Sequence, residues 1–98
     1  MKEFHEICDA YEDTLTLCLT EDNKIIGGYT PLSWEDQFQK NSTHFKTDFK
    51  RETFLFSVTD NSKYPLVKSL KNKAICCFKS YGPTFGGGYD LLIGDKTN

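Results

Sequence analysis

The chain has 98 residues, which is the size of one small domain and leaves no room for a second. Its formal net charge is −2 and its basic side chains are scattered, which excludes the electrostatic footprint of a nucleic-acid-binding protein. Hydrophobic residues make up only 38% of the chain, but eight Phe and five Tyr favour a folded core built largely from rings over disorder.

The charges are unevenly distributed along the chain. Residues 1–35 carry eight acidic and two basic side chains, whereas residues 40–79 carry three acidic and nine basic ones. Two interpretations remain open: a dipolar surface that steers a charged partner, or solvated loops that happen to differ in composition.

The start of the chain lacks the apolar segment of a signal peptide, and no later stretch is long enough to cross a bilayer. We therefore expect a soluble, cytoplasmic protein. The four cysteines fit a reducing compartment and are expected to be free thiols, most of them buried: Cys8, Cys18, Cys76 and Cys77. Their spacing does not match a metal site, and the two histidines are too isolated to complete one, so we expect no metal.

Taken in order, the chain begins with a predicted short helix that ends near Asp9, with Phe4, Ile7 and Cys8 on one apolar face. Residues 14–20 then alternate polar and apolar, which predicts a half-buried strand with Leu15, Leu17 and Leu19 towards the core. A polar turn at 21–24 leads into a second strand over 24–29, which together predict a β-hairpin.

The middle of the chain alternates loops and short strands. The polar stretch 35–44 and the segment around Phe45 and Phe49 are interpreted as a loop with a possible helical turn. Thr53–Val58 is β-prone throughout and apolar on both faces, which predicts a central strand. Three further strands are expected: an edge segment at Tyr64–Val67, a buried strand at Ala74–Phe78, and a strand at Tyr89–Ile93.

The stretch 81–93 combines a proline with four of the seven glycines, and it is interpreted as a rigid turn that feeds the last strand. A matching stretch at 25–34 runs an apolar pair into two glycines, a Thr-Pro step and the only tryptophan. Together these elements predict a β-rich α+β domain with a mainly antiparallel sheet.

Four of these segments, in this order, resemble the TLDc domain: Ile25–Thr30 with Ser33–Trp34, Phe54–Val58, Ala74–Ile75 and Gly82–Leu91. The resemblance implies an antiparallel two-sheet β-sandwich flanked by short helices. Family domains are longer, so the resemblance implies a single, partial TLDc domain over residues 1–98, incomplete at both ends. The positions that carry it, as structural or interaction residues, are Gly27, Gly28, Tyr29, Ser33, Trp34, Gly82, Pro83, Phe85, Gly86, Gly87, Gly88 and Asp90.

For function, the resemblance implies a non-enzymatic protein-interaction domain that is linked to oxidative stress resistance and to binding the vacuolar-type proton pump. It implies no cofactor and no catalytic residue. Alternatives from other classes are a thiol-based redox protein that uses Cys76 or Cys77 and a truncated product without autonomous function.

Individual residues also leave alternatives open. Gly86–Gly88 could cradle a phosphate, although structural glycines fit the following strand better. Asp90 could act as a base, or more simply as an acceptor that holds the glycine turn. Trp34 could be an exposed recognition residue, although a tryptophan beside a Thr-Pro turn usually packs beneath that turn.

Overall fold

The structure, a computed structural model, describes residues 2–35, 44–77, 81–88 and 90–94. Within these ranges the elements are α1 (Lys2–Cys8), β1 (Thr14–Leu19), β2 (Ile25–Thr30), β3 (His44–Lys46), β4 (Phe54–Ser57), β5 (Ser62–Pro65), a 3₁₀ helix (Lys68–Lys73), β6 (Ile75–Cys77), β7 (Tyr81–Phe85) and β8 (Leu91–Gly94). The loop predicted over 35–44 lies outside the described residues from 36 to 43, as do Phe78 and Tyr89 of two predicted strands.

The strands form two antiparallel four-stranded sheets. The first sheet has the order β1-β2-β4-β5 and the second has the order β3-β6-β7-β8. The predicted β-rich fold with two antiparallel sheets and short helices is therefore confirmed. The predicted hairpin is also present, since β1 pairs with β2 through a turn in which Asn23 adopts a positive φ of 63°.

The predicted central strand of the first sheet lies where expected, whereas the edge strand is Ser62–Pro65 and not the predicted Tyr64–Val67. β4 pairs with β2 on one side and with β5 on the other, which makes it an interior strand. β5 lies at the edge of the sheet and ends at Pro65. Proline has no backbone N–H to donate, and at the edge this interrupts no hydrogen bonding between interior strands.

Two elements of the second sheet differ from the sequence predictions. Tyr81–Phe85, interpreted as a turn, is the interior strand β7, and His44–Lys46, interpreted as part of a loop, is the edge strand β3. Pro83 is tolerated inside the sheet because the β7–β8 register shifts between Tyr81 and Thr84, which interrupts the ladder around it.

The core lies between the sheets and is centred on Trp34, Ile75, Cys77 and Phe85. Half-buried apolar residues surround this cluster: Phe4, Leu32, Leu55 and Leu91. Trp34 and Phe85 meet edge to face with ring centroids 5.3 Å apart. The prediction of a core built largely from rings holds only for this pair, since Phe85 is the one buried residue among the described Phe and Tyr side chains.

The predicted inward face of β1 was wrong. Leu15, Leu17 and Leu19 are 60%, 60% and 67% exposed, whereas the alternate residues of the strand are half-buried. Thr14 faces inward because its Oγ1 accepts a hydrogen bond from the Trp34 indole Nε1 at 2.9 Å. Since side chains alternate along a strand, this contact places all three leucines on the outer face.

The helix α1 ends as predicted, but one residue of its predicted apolar face points outward. Phe4 packs edge-on against Trp34, with ring centroids 6.2 Å apart, whereas Ile7 is exposed. The His5 ring connects α1 to the second sheet, since its Nε2 lies 2.7 Å from the Tyr81 carbonyl oxygen.

A buried polar network connects the ends of the two sheets. Asp48, just after β3, accepts hydrogen bonds on Oδ2 from the Thr53 N–H, the Thr53 hydroxyl and the Glu52 N–H. The Thr53 hydroxyl in turn lies 2.9 Å from that of Thr30 on β2. Burial by itself raises the pKa of Asp48, but these hydrogen bonds to the charged form outweigh it and lower the pKa below its ordinary value of 3.8.

The depressed pKa of Asp48 predicts an acid-sensitive contribution to stability. The group binds its proton more weakly in the folded state, so its contribution is fully present above the unfolded pKa and is lost as pH falls through the folded value. We expect Asp48→Asn to lower the free energy of unfolding by about 1–3 kcal/mol at neutral pH, because a charged acceptor of three hydrogen bonds is lost.

Denaturant unfolding from pH 7 down to well below the ordinary carboxyl pKa measures this contribution, since the pKa of Asp48 is lowered in the folded state. The difference between wild type and Asp48→Asn is expected to shrink as pH falls. A difference that stays constant over the whole range would show that the Asp48 charge is irrelevant to stability.

Candidate functional site

The two glycines of the motif in β2 face opposite sides of the first sheet. A Cβ on Gly28 would lie 2.6–2.8 Å from three atoms of the Phe85 ring, so Gly28 forms the floor on which Phe85 packs. A Cβ on Gly27 would collide with the Thr16 carbonyl oxygen and the Phe56 ring on the outer side. The glycines therefore permit close packing on both faces of one strand.

Ser33 and Trp34 connect the sheets instead of offering a free surface. The Ser33 hydroxyl donates to the Asp9 carbonyl oxygen after α1, while the Ser33 carbonyl accepts from Lys46 Nζ at 2.6 Å. Trp34 is 1% exposed, so the alternative of an exposed tryptophan for recognition was wrong. Its role is to fill the core.

The predicted glycine turn lies between β7 and β8. Gly86 has a positive φ of 85°, which only glycine adopts readily, and Asp90 lies against it. The Gly86 N–H donates to the Ala74 carbonyl oxygen at 3.0 Å, so that N–H already has a partner and is not directed at a phosphate. Gly82 and Pro83 are buried in β7, and Gly87 and Gly88 are exposed in the turn.

Cys76 and Cys77 lie side by side in β6 and are 0% and 1% exposed. Both are free thiols, as are the half-buried Cys8 and Cys18. The Cys77 thiol points at the Ser33 carbonyl oxygen, 3.8 Å away. A redox-sensing thiol has to reach solvent, and this burial argues against that role for the pair.

Sequence reasoning missed the apolar outer face of the first sheet. It is formed by side chains that the register places in adjacent rows: Leu15, Leu17, Leu19, Ile25, Tyr29, Phe54 and Phe56. Tyr29 and Phe54 stack with centroids 5.5 Å apart, and Lys63 Nζ lies 4.3 Å above the Phe54 ring. The alternation of β1 could have revealed this surface had the buried side of the strand been assigned correctly.

Large contiguous apolar patches on a protein usually mark an interaction site. The outer face of the first sheet therefore has the character of a protein-binding surface. In the described part of the chain, no group of three or more His, Cys, Asp or Glu side chains is arranged to hold a metal ion. The only described α-helix, α1, is far too short to span a bilayer, and nothing else in those ranges has the length and hydropathy that a spanning helix needs.

Comparison with known proteins gives a match to one family model. No curated protein and no solved structure matches the chain significantly. A family model, described as TLDc domain, matches residues 1–98, which is the whole chain. Since this match covers the whole chain, the chain belongs to the TLDc domain family.

Proposed function

We propose that this protein is a non-enzymatic interaction domain that acts in the cytoplasm in resistance to oxidative stress. The observation that carries the proposal is the match of the whole chain to the TLDc family, which is associated with oxidative stress and protein interaction. The vacuolar-type proton pump is the partner that we propose, as the family resemblance implies.

The exposed apolar rows of the outer face support an interaction function. Leu15, Leu17 and Leu19 keep most of their surface in contact with solvent, which has a free-energy cost of about 25 cal/mol for each Å² of apolar surface. A bound partner that covers these rows would remove that cost. The signature residues Gly28, Trp34 and Phe85, by contrast, support this sheet from inside the fold.

The test is complementation together with affinity capture. The tagged chain would be returned to cells that lack its gene, and survival in hydrogen peroxide would be measured alongside mass spectrometry of captured proteins. We expect restored survival and capture of pump subunits. Capture that yields no pump subunit and no other reproducible partner would contradict the proposal.

A double variant, Cys76→Ala with Cys77→Ala, separates the interaction function from thiol chemistry. Provided that its thermal unfolding remains cooperative, we expect it to protect cells as well as the wild type does. Loss of protection in a folded variant would instead support thiol chemistry at β6.

A further inference from the structure

β1 is an edge strand of the first sheet. The hydrogen bonds of its neighbour β2 show which backbone groups of β1 point away from that sheet. In an antiparallel ladder, directly opposed pairs alternate between hydrogen-bonded and non-hydrogen-bonded pairs. The Val58 N–H donates to the Ile25 carbonyl oxygen at 2.9 Å, so Ile25 directs its backbone groups towards β4. The Thr20 N–H donates to the Lys24 carbonyl oxygen at 2.8 Å, so Lys24 directs its carbonyl towards β1.

Both bonds fit the same alternation of hydrogen-bonded and non-hydrogen-bonded pairs along β2. This alternation shows which backbone groups of β1 are not bonded to β2. Thr16 and Cys18, opposite Gly28 and Ile26, exchange hydrogen bonds with β2. The N–H and C=O groups of the three leucines therefore point away from β2, towards the open side of the sheet. The same three residues present their apolar side chains on the outer face.

The edge strands of the described sheets are protected against further pairing to very different degrees. β5 carries Lys63 and ends at Pro65, β3 has only three residues, one of them Lys46, and β8 has neither lysine nor proline but only four residues. Lysine, proline and short length are the devices that keep edge strands from pairing with other chains. β1 has six residues, and none of them is charged or a proline. It is the longest edge strand in the described ranges.

Acidic side chains lie at both ends of β1. Glu12 and Asp13 precede the strand, Glu21 and Asp22 follow it, and all four are exposed. The Thr20 hydroxyl donates a hydrogen bond to the Asp22 carboxylate, which lowers the pKa of Asp22 and keeps it ionised. An apolar backbone edge is thus flanked by negative charge.

This charge pattern discriminates between possible occupants of the edge. If two copies paired their β1 strands antiparallel about Leu17, Asp13 of each would face Glu21 of the other, and Glu12 would face Asp22. Four acidic residues would then crowd each end, and like charges opposite one another destabilise a strand pair. The basic side chains at the ends of a partner strand would instead be attracted to the acidic residues at both ends of β1.

We propose that β1 binds one extended segment of a partner protein as an additional strand of the first sheet, a segment with apolar residues at alternate positions and Lys or Arg at both ends. This rests on the proposed interaction function and names the surface that performs it. Backbone hydrogen bonds from the three leucines would supply affinity, and the outer apolar rows and the acidic ends would supply specificity.

The test is fluorescence anisotropy, which measures how tightly a labelled decapeptide binds to the whole 98-residue chain. The decapeptide is Lys-Lys-Val-Thr-Val-Thr-Val-Thr-Lys-Lys. The matched control peptide carries Glu in place of every Lys and keeps the same core. We expect the basic peptide to bind at least about tenfold more tightly, with an affinity that falls as salt screens the acidic ends. Equal affinities, or no binding by either peptide, would overturn the proposal.

The variant Leu17→Pro removes one outward N–H without breaking a bond to β2, because proline is accepted where an edge N–H faces solvent. Its matched control, Leu17→Thr, loses the same apolar side chain but keeps the N–H. We expect Leu17→Pro to weaken binding of the basic peptide at least about tenfold and Leu17→Thr clearly less. Equal effects of the two variants would contradict strand addition.

A charge-neutralised variant covers the case in which Leu17→Pro does not fold. Glu12→Lys with Glu21→Lys changes only exposed side chains and leaves one Lys beside one Asp at each end of β1, so the basic and the acidic peptide are expected to bind with similar affinities. An unchanged preference would overturn the role of the acidic ends. Sedimentation that shows dimers, lost in Leu17→Thr or Leu17→Pro, would overturn the proposal in favour of a second copy.

The failure of this inference is distinguishable from failure of the proposed function. If the wild type and Leu17→Pro capture the same cellular partner equally well, the function stands and the β1 edge is not the surface. If the basic peptide binds at β1 but no cellular partner is captured, the edge is competent and the proposed function fails.

Discussion

Replacing Trp34 with Ala is expected to lower the free energy of unfolding by about 3–5 kcal/mol, the range for removing a large aromatic side chain from a core. Trp34 contacts Phe85 and Phe4 edge to face, and its indole N–H bonds to Thr14. Truncation would therefore leave a cavity between the sheets and an unsatisfied hydroxyl on β1. Small domains have total stabilities of about 5–15 kcal/mol, so the loss would be a large fraction of the whole.

Guanidinium or urea unfolding followed by circular dichroism measures this loss. Leu17→Ala is the matched control, since it also truncates a large apolar side chain of the first sheet but one that is exposed. We expect the control to lie within about 0.5 kcal/mol of the wild type. A Leu17→Ala variant as destabilised as Trp34→Ala would contradict the outward orientation of β1.

The second large effect is expected at Gly28. A Val at this position would place its Cβ 2.6–2.8 Å from the Phe85 ring, and Phe85 is itself buried. Forcing the two sheets apart or the ring out of its rotamer should cost about 3 kcal/mol, near the upper end of the usual range for overpacking. Thermal or denaturant unfolding measures the loss.

The control for Gly28→Val is Gly88→Ala, because Gly88 is exposed and a Cβ there would meet its nearest neighbour only at 3.7 Å. We expect Gly88→Ala to be nearly neutral. A double-mutant cycle with Phe85→Leu adds a second check, since the smaller side chain should relieve part of the loss at Gly28. Strictly additive effects would show that the two side chains do not compete for space.

These two predictions concern the same structural feature. Phe85 from the second sheet enters a space that Gly28 leaves open in the first, and Trp34 closes that space from the side. The core is therefore supplied mainly by the second sheet and by the segment after β2. Apart from Ile26 and Leu55, the first sheet contributes mostly small residues inward, and its other large apolar side chains form much of the outer face.

Strand positions were largely predictable from sequence because they depend on local patterns. The alternation over Thr14–Leu19, the β-prone run before Ser57 and the turn residues at 21–24 indicated β1, β4 and the hairpin directly. β7 was missed because Gly82 and Pro83 have low strand propensity, and only the shifted β7–β8 register accommodates them. His44–Lys46 is too short to show a period.

The sequence by itself determined the β1–β2 hairpin, the central strand β4 and the motifs by which the family was recognised, since periodicity and glycine spacing are properties of neighbouring residues. Which side of β1 is buried was decided only by the tertiary structure. Alternation defines two faces but cannot say which one meets the core, and the indole of Trp34, twenty positions from Thr14 along the chain, makes that choice through one hydrogen bond. The exposed leucine edge, for which we propose an interaction role, follows from that long-range contact.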